Sequence, residues 1–115
     1  MTEILVLVPD LMFATRVEDA AKHLGYRVVS LNVGDDFESI VAREVPRLVI
    51  VSLNASDWAR AVDAAKRGGA HVLAFGSHKN VEQMVAAKKA GCDEVVARSR
   101  MAAELPNLLK KYLEA

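Results

Sequence analysis

The chain has 115 residues, of which 52% are hydrophobic and 26% charged, and its fifteen basic residues balance fifteen acidic ones. This length predicts one domain, residues 1–115, with one core and no separate output module. A net charge of zero leaves no long-range field to attract nucleic acid or an anionic membrane, so neither is an expected partner.

The first apolar run, residues 4–8, is Ile-Leu-Val-Leu-Val without polar alternation, as expected for a strand covered on both faces. Phe13, Val17, Ala20, Ala21 and Leu24 then share one helical face, and Gly25 ends that helix. A second strand is predicted over 28–31. Asp35-Asp36 is placed to cap a short helix bearing Phe37, Ile40 and Val41, stopped before Pro46. Residues 48–53 form a third apolar run. Ser56 is the expected N-cap of a helix with the stripe Trp58, Ala61, Val62 and Ala65, ended by Gly68-Gly69.

Residues 72–75 make a fourth strand. Asn80 and Gln83 stand at capping-box spacing for the next helix, with Val81, Met84 and Val85 expected inward and Gly91 as its stop. A fifth strand is expected over 95–97. The last helix carries Leu105, Leu108, Leu109, Tyr112 and Leu113, with Pro106 in its first turn, since deeper placement removes a backbone bond. Lys66-Arg67, Lys88-Lys89 and Lys110-Lys111 fall where helices end and complement the dipole there.

Alternating strands and helices build a parallel sheet with right-handed crossovers and helices on both faces. Five such units fit either a flavodoxin-like open sheet or half of a Rossmann fold. No apolar run approaches the ~20 residues of a membrane span, and a cytoplasmic location is expected. Cys92 is the only cysteine and precedes an apolar strand, so a buried, inert thiol is the expectation.

Ligands of open parallel sheets sit beyond the carboxyl ends of the strands. Those ends offer Pro9 and Asp10; Asn32, Asp35 and Asp36; Ser52, Asn54 and Asp57; Gly76-Ser77-His78-Lys79; and Arg98-Ser99-Arg100. No G-x-G-x-x-G or G-x-x-x-x-G-K-[ST] follows any strand, which argues against dinucleotides and nucleoside triphosphates. Pro9 and the large residues Leu11, Met12 and Phe13 obstruct a flavin phosphate, and a cobalamin Asp-x-His-x-x-Gly loop is absent at Asp10. No G-x-S-x-G elbow surrounds Ser52, so Ser52, His78 and Asp10 make no complete catalytic constellation. Arg98, Arg100, Ser77 and Lys79 supply the chemistry of an anion pocket, but Arg98 is expected to pair with Asp10 or Asp57 across the crevice.

Gly25-Tyr26 leads into the second strand, Pro46 into Leu48-Val49-Ile50-Val51, and Ala90-Gly91-Cys92-Asp93-Glu94 into the fifth. In that order and spacing the chain resembles a response-regulator receiver domain over nearly all its length. The resemblance implies a flavodoxin-like, three-layer α/β sandwich whose five-stranded parallel sheet runs 2-1-3-4-5 with five helices.

It also implies a degenerate, pseudo-receiver member. The acidic pair by which receivers hold magnesium falls at Val8 and Pro9, with only Asp10 beyond. The phosphoacceptor falls at Ser52, the phosphate-sensing hydroxyl at Gly76, the switch aromatic at Val95, and the lysine at Arg98. No cofactor is expected. The implied role is a phosphorylation-independent protein-interaction module of two-component signalling. Its partner face, the fourth helix, fifth strand and fifth helix, falls at Lys79, Glu82, Ala86, Lys88, Lys89, Glu94, Arg100 and Tyr112. The occupant of that face is a protein partner or a second copy. The alternative is a small-anion or small-ligand site, or minor enzyme, built from Asp10, Ser52, Ser77, His78, Arg98 and Arg100.

Overall fold

A computed structural model describes residues 2–114. The elements are β1 (Ile4–Leu7), α1 (Leu11–His23), β2 (Val28–Ser30), α2 (Phe37–Glu44), β3 (Leu48–Ser52), α3 (Trp58–Arg67), β4 (His71–Gly76), α4 (Val81–Lys89), β5 (Glu94–Ala97), α5 (Arg98–Ala103) and α6 (Leu105–Leu113). All strands are parallel, in the order β2-β1-β3-β4-β5. This order selects the flavodoxin-like arrangement over a Rossmann half.

Every residue of β1 and β3 is buried. Side chains alternate across a strand, so each one feeds two cores. Ile4, Val6, Leu48, Ile50, Leu73 and Phe75 meet Phe13 and Val17 of α1, Met101 of α5 and Leu109 of α6. Leu5, Leu7, Val49, Val51, Val72 and Ala74 meet Phe37 and Val41 of α2, Val62 and Ala65 of α3, and Ala87 of α4. Burying a side chain of this size contributes roughly 1.5–3 kcal/mol each before entropy is counted. Among the described residues, no helix is long and apolar enough to cross a membrane.

Four local expectations are corrected. The final helical region is two segments, so the sheet carries six helices rather than five. Pro106 has no N–H and its ring clashes with the carbonyl four residues back, so the chain breaks at Glu104 and restarts with the proline in the first turn of α6. Arg98-Ser99-Arg100 is accordingly the first turn of α5 rather than a loop.

Ser56 does not cap α3. Asp57 takes the N-cap position, and its carboxylate turns away to accept from the Gly34 N–H (2.9 Å) and pair with Arg60 (3.6 Å), tying the β2–α2 loop to α3. Asn80 does cap α4, accepting from the Gln83 N–H at 3.1 Å, but Gln83 donates its side-chain amide to the Leu53 carbonyl at 2.7 Å instead of closing the box. Finally, Val81 and Val85 are not inward: they are 64% and 47% exposed. The helix α4 lies at the β5 edge, packed chiefly on β4 and β5, with too little sheet beneath it to cover its whole apolar stripe.

Asp36 caps α2 as expected, accepting from the Ser39 N–H at 3.2 Å. The packing of α2 on α3 requires a glycine at position 68. A Cβ there would lie 2.4 Å from Val41 Cγ1. Gly68→Ala is therefore expected to cost about 1–3 kcal/mol through overpacking. Chemical denaturation of G68A and of V41A/G68A checks this: removing the obstructing methyls in the double variant should make the second substitution nearly neutral.

Candidate functional site

The carboxyl ends of β3, β4 and β5 surround a cleft of about 250 Å³ lined by Ser52, Asn54, Phe75, Gly76, Ser77, His78, Arg98 and Ser99. The strands deliver these residues because β3 and β4 pair in register up to Ser52 and Phe75, and β4 and β5 up to Gly76 and Ala97. Gly76 lets the chain pass close to Leu53, whose Cδ1 and Cβ would stand 3.1 and 3.2 Å from an added Cβ.

Asp10 lies beside the cleft as the N-cap of α1. Its Oδ1 accepts from the Met12 and Phe13 N–H groups at 3.0 and 3.3 Å. Its Oδ2 accepts from Arg98 Nη2 at 2.5 Å, which realises one of the two expected pairings. Asp57, the other candidate, is engaged with Gly34 and Arg60. The Arg98 guanidinium also lies 4.7 Å over the Phe13 ring, and that ring stacks on Phe75 at 4.8 Å. A continuous row of Asp10, Arg98, Phe13 and Phe75 thus links the rim to the cleft floor. The Arg98 hydrogen bond, aided by the Phe13 amide and then the Met12 amide, holds the Asp10 carboxyl below the usual carboxylate range against the small cost of desolvation.

Ser52 is 3% exposed, and its Oγ accepts from the Asn54 N–H at 3.2 Å. The Ser77 hydroxyl accepts from the Lys79 N–H at 3.2 Å, closing the turn before α4. The structure therefore brings Ser52, Ser77, His78 and Arg98 together, with Asp10 behind Arg98 and Val8 and Pro9 beyond the cleft lining. It does not bring Arg100 there. One turn into the α5 region, Arg100 points to Glu104 (3.1 Å) and Glu94 (3.5 Å), because β5 runs directly into a helix and rotates that side chain away from the strand ends. Among the described residues no hydrogen bond joins Ser52, His78 and Asp10 into a relay, and no group of three His, Cys, Asp or Glu is placed to hold a metal ion. Cys92 is buried, and desolvation together with Asp93 pushes its thiol up to about 11.

A second surface lies between α4 and β5. Val81, Met84, Val85, Lys88, Glu94 and Val95 line a groove of about 330 Å³. Sequence reasoning placed Lys88 and Glu94 on this face but missed its apolar part. The available signal was the i, i+4 pair Val81 and Val85 on a helix next to the last strand. Glu94 holds the groove's base, accepting from Tyr112 Oη at 2.7 Å and Lys111 Nζ at 3.0 Å. Burial first, and then the Glu94 carboxylate, push the Tyr112 phenol upward, so it stays a donor. Lys79, Glu82, Ala86 and Lys89 are exposed around the groove.

Because its folded pKa is depressed, Asp10 stabilises the fold above the ordinary carboxylate pKa, and that contribution disappears as pH falls through the folded value. Arg98→Gln should raise the Asp10 pKa toward the ordinary carboxylate range, measured by carboxyl-carbon NMR titration. The difference in melting temperature between wild type and R98Q should shrink as the solution is acidified below pH ~4.

No family model matches this chain, and no curated protein matches it. Solved structures do. The receiver domain of NtrX from Brucella abortus superposes with a TM-score of 0.82 at 19% identity, covering 98% of this chain and 99% of that one. A CheY-like response-regulator receiver domain protein from Methanospirillum hungatei gives 0.82 at 18% identity, covering 99% and 94%. A response regulator protein from Burkholderia pseudomallei, solved with a phosphorylated aspartic acid, a calcium ion and citrate, gives 0.78 at 17% identity, covering 97% and 66%. The chain has the fold of a response-regulator receiver domain.

Proposed function

We propose that this chain is a pseudo-receiver: a receiver-type module of two-component signalling that recognises a protein partner in the cytoplasm without aspartyl phosphorylation. The observation that carries this reading is the state of the carboxylates. At the end of β3, where the implied acceptor falls, stands Ser52, a buried hydroxyl already accepting from the Asn54 N–H. A serine hydroxyl forms no acyl phosphate. No carboxylate lines the cleft among the described residues, and Asp10, beside it, is held by Arg98.

Magnesium favours near-octahedral oxygen ligation anchored by carboxylates, so these residues do not fit it. The Arg98 guanidinium supplies, at Asp10, the positive charge that a cation supplies in a phosphorylatable site. The Burkholderia regulator carries a phosphorylated aspartic acid and a calcium ion. This chain offers neither an acceptor nor a matching ligand set at the corresponding end of its sheet, and we read it as having no enzymatic step.

Partner recognition falls to the α4–β5 groove. Val81, Met84, Val85 and Val95 supply apolar contact, while Lys88 and Lys89 set a basic margin. An apolar anchor flanked by acidic residues is the complementary motif. Incubation with acetyl phosphate and magnesium should leave the intact mass unchanged; an added phosphate on any aspartate overturns the reading. Affinity capture from native cytoplasm should recover a partner with wild type and lose it with Val85→Glu. Equal recovery with both proteins would exclude this groove.

The cleft supports a second reading, a small-anion site, because Ser52, Ser77, His78 and Arg98 converge there. A ligand must then displace Asp10 from Arg98. A thermal-shift series with phosphate, sulfate and organic acids tests it: ligand at a hundred times its Kd stabilises by about 2.7 kcal/mol, and a flat response removes the reading.

A further inference from the structure

Among the described residues the most exposed large apolar side chains are adjacent: Leu11 at 81% and Met12 at 82%. Both stand on the first turn of α1, where Phe13, Ala14 and Val17 already occupy the core-facing side. A helix N-terminus favours acidic residues, yet the first turn of α1 has none. Next to the doublet lies a notch of about 270 Å³ lined by the apolar side chains Leu7, Val8, Pro9, Leu11, Ala14, Leu31 and Val33 and, on its polar side, by Glu18, Ser30 and Asn32. A projecting apolar group and a partly apolar notch with the Glu18 carboxylate at its edge therefore share one patch. That is the requirement of an isologous interface, in which the same surface serves both partners.

The charges around the patch are self-complementary as well. On one flank, Arg16 reaches toward α5, its Nη2 donating to the Ala102 carbonyl at 3.5 Å, and among the described residues it makes no ion pair. On the other flank, Glu18 reaches toward β2, accepting from Ser30 Oγ at 2.8 Å. A two-fold axis through the Leu11–Met12 doublet sets the basic flank of one copy against the acidic flank of the other. We propose that the occupant of this patch is a second copy of the chain, with Met12 of each copy seated in the notch of its partner and Arg16 facing Glu18 across the axis.

The molecule measures 35 × 29 × 27 Å, and the patch is one corner of it. Two projecting side chains and one notch make a small contact beside the ~800 Å² per partner of a standard interface, so the dimer is weak. This surface is separate from the α4–β5 groove and does not depend on the reading of that groove.

Sedimentation velocity from about 10 µM to about 1 mM is the direct test. Wild type should pass from monomer toward dimer across this range. Met12→Glu, at a solvent-facing position where folding is not at risk, should weaken association at least tenfold with an unchanged melting temperature. Val81→Glu should leave it unchanged. Arg16→Glu and Glu18→Arg should each weaken self-association, and an equimolar mixture of the two should restore it. A wild type that stays monomeric to about 1 mM overturns the proposal. So does M12E associating like wild type, or V81E proving to be the variant that abolishes the dimer.

Discussion

The structure depends on covering both faces of a parallel sheet in which two adjacent interior strands, β1 and β3, have no exposed residue. The β1 and β3 strands carry apolar side chains in both directions, so no arrangement with helices on one face alone buries them. Crossover helices on both sides follow, and with them the placement of all five strand ends on one rim. The cleft, the Asp10–Arg98 pair and the Leu11–Met12 doublet are products of that placement, since β1, β3, β4 and β5 deliver the residues that follow them to the same end of the molecule.

Within the rim, the chemistry is held in place by aromatic packing. Phe13 faces the core from α1 and stacks on Phe75 of β4; Arg98, at the start of α5, lies on the outer face of that stack. The guanidinium is thereby fixed beside the N-cap of α1, where Asp10 already faces two backbone N–H groups. An ion pair this exposed adds little stability by itself. Its consequence is positional, because the Asp10 carboxylate beside the cleft is occupied by a resident cation.

The edges of the sheet account for the rest of the surface. A helix over the middle of a sheet finds strands on both sides and buries its stripe, as α3 does with Ala61, Val62 and Ala65. At the β5 edge, α4 fully buries only Ala87, and the remaining apolar positions open into a groove. The same chain therefore presents two apolar surfaces, one at the sheet edge and one at the strand-end rim, separated by the polar cleft.

The alternation of two-sided apolar runs with amphipathic stretches was enough to read an α/β fold with a parallel sheet; the order of its strands was implied by the receiver resemblance, and the Arg98 pairing with one of two aspartates by charge. Local chemistry also placed Asp36 as a cap and Pro106 in a first turn, because a cap and a proline act through their immediate neighbours. What the sequence alone left undecided was set by neighbours distant along the chain. Asp10 rather than Asp57 holds Arg98 because Gly34 and Arg60 already engage Asp57. Arg100 leaves the cleft because β5 passes into α5 without a loop. Val81 and Val85 have a core pattern yet face solvent, since periodicity records which residues share a face and only packing determines whether anything covers it.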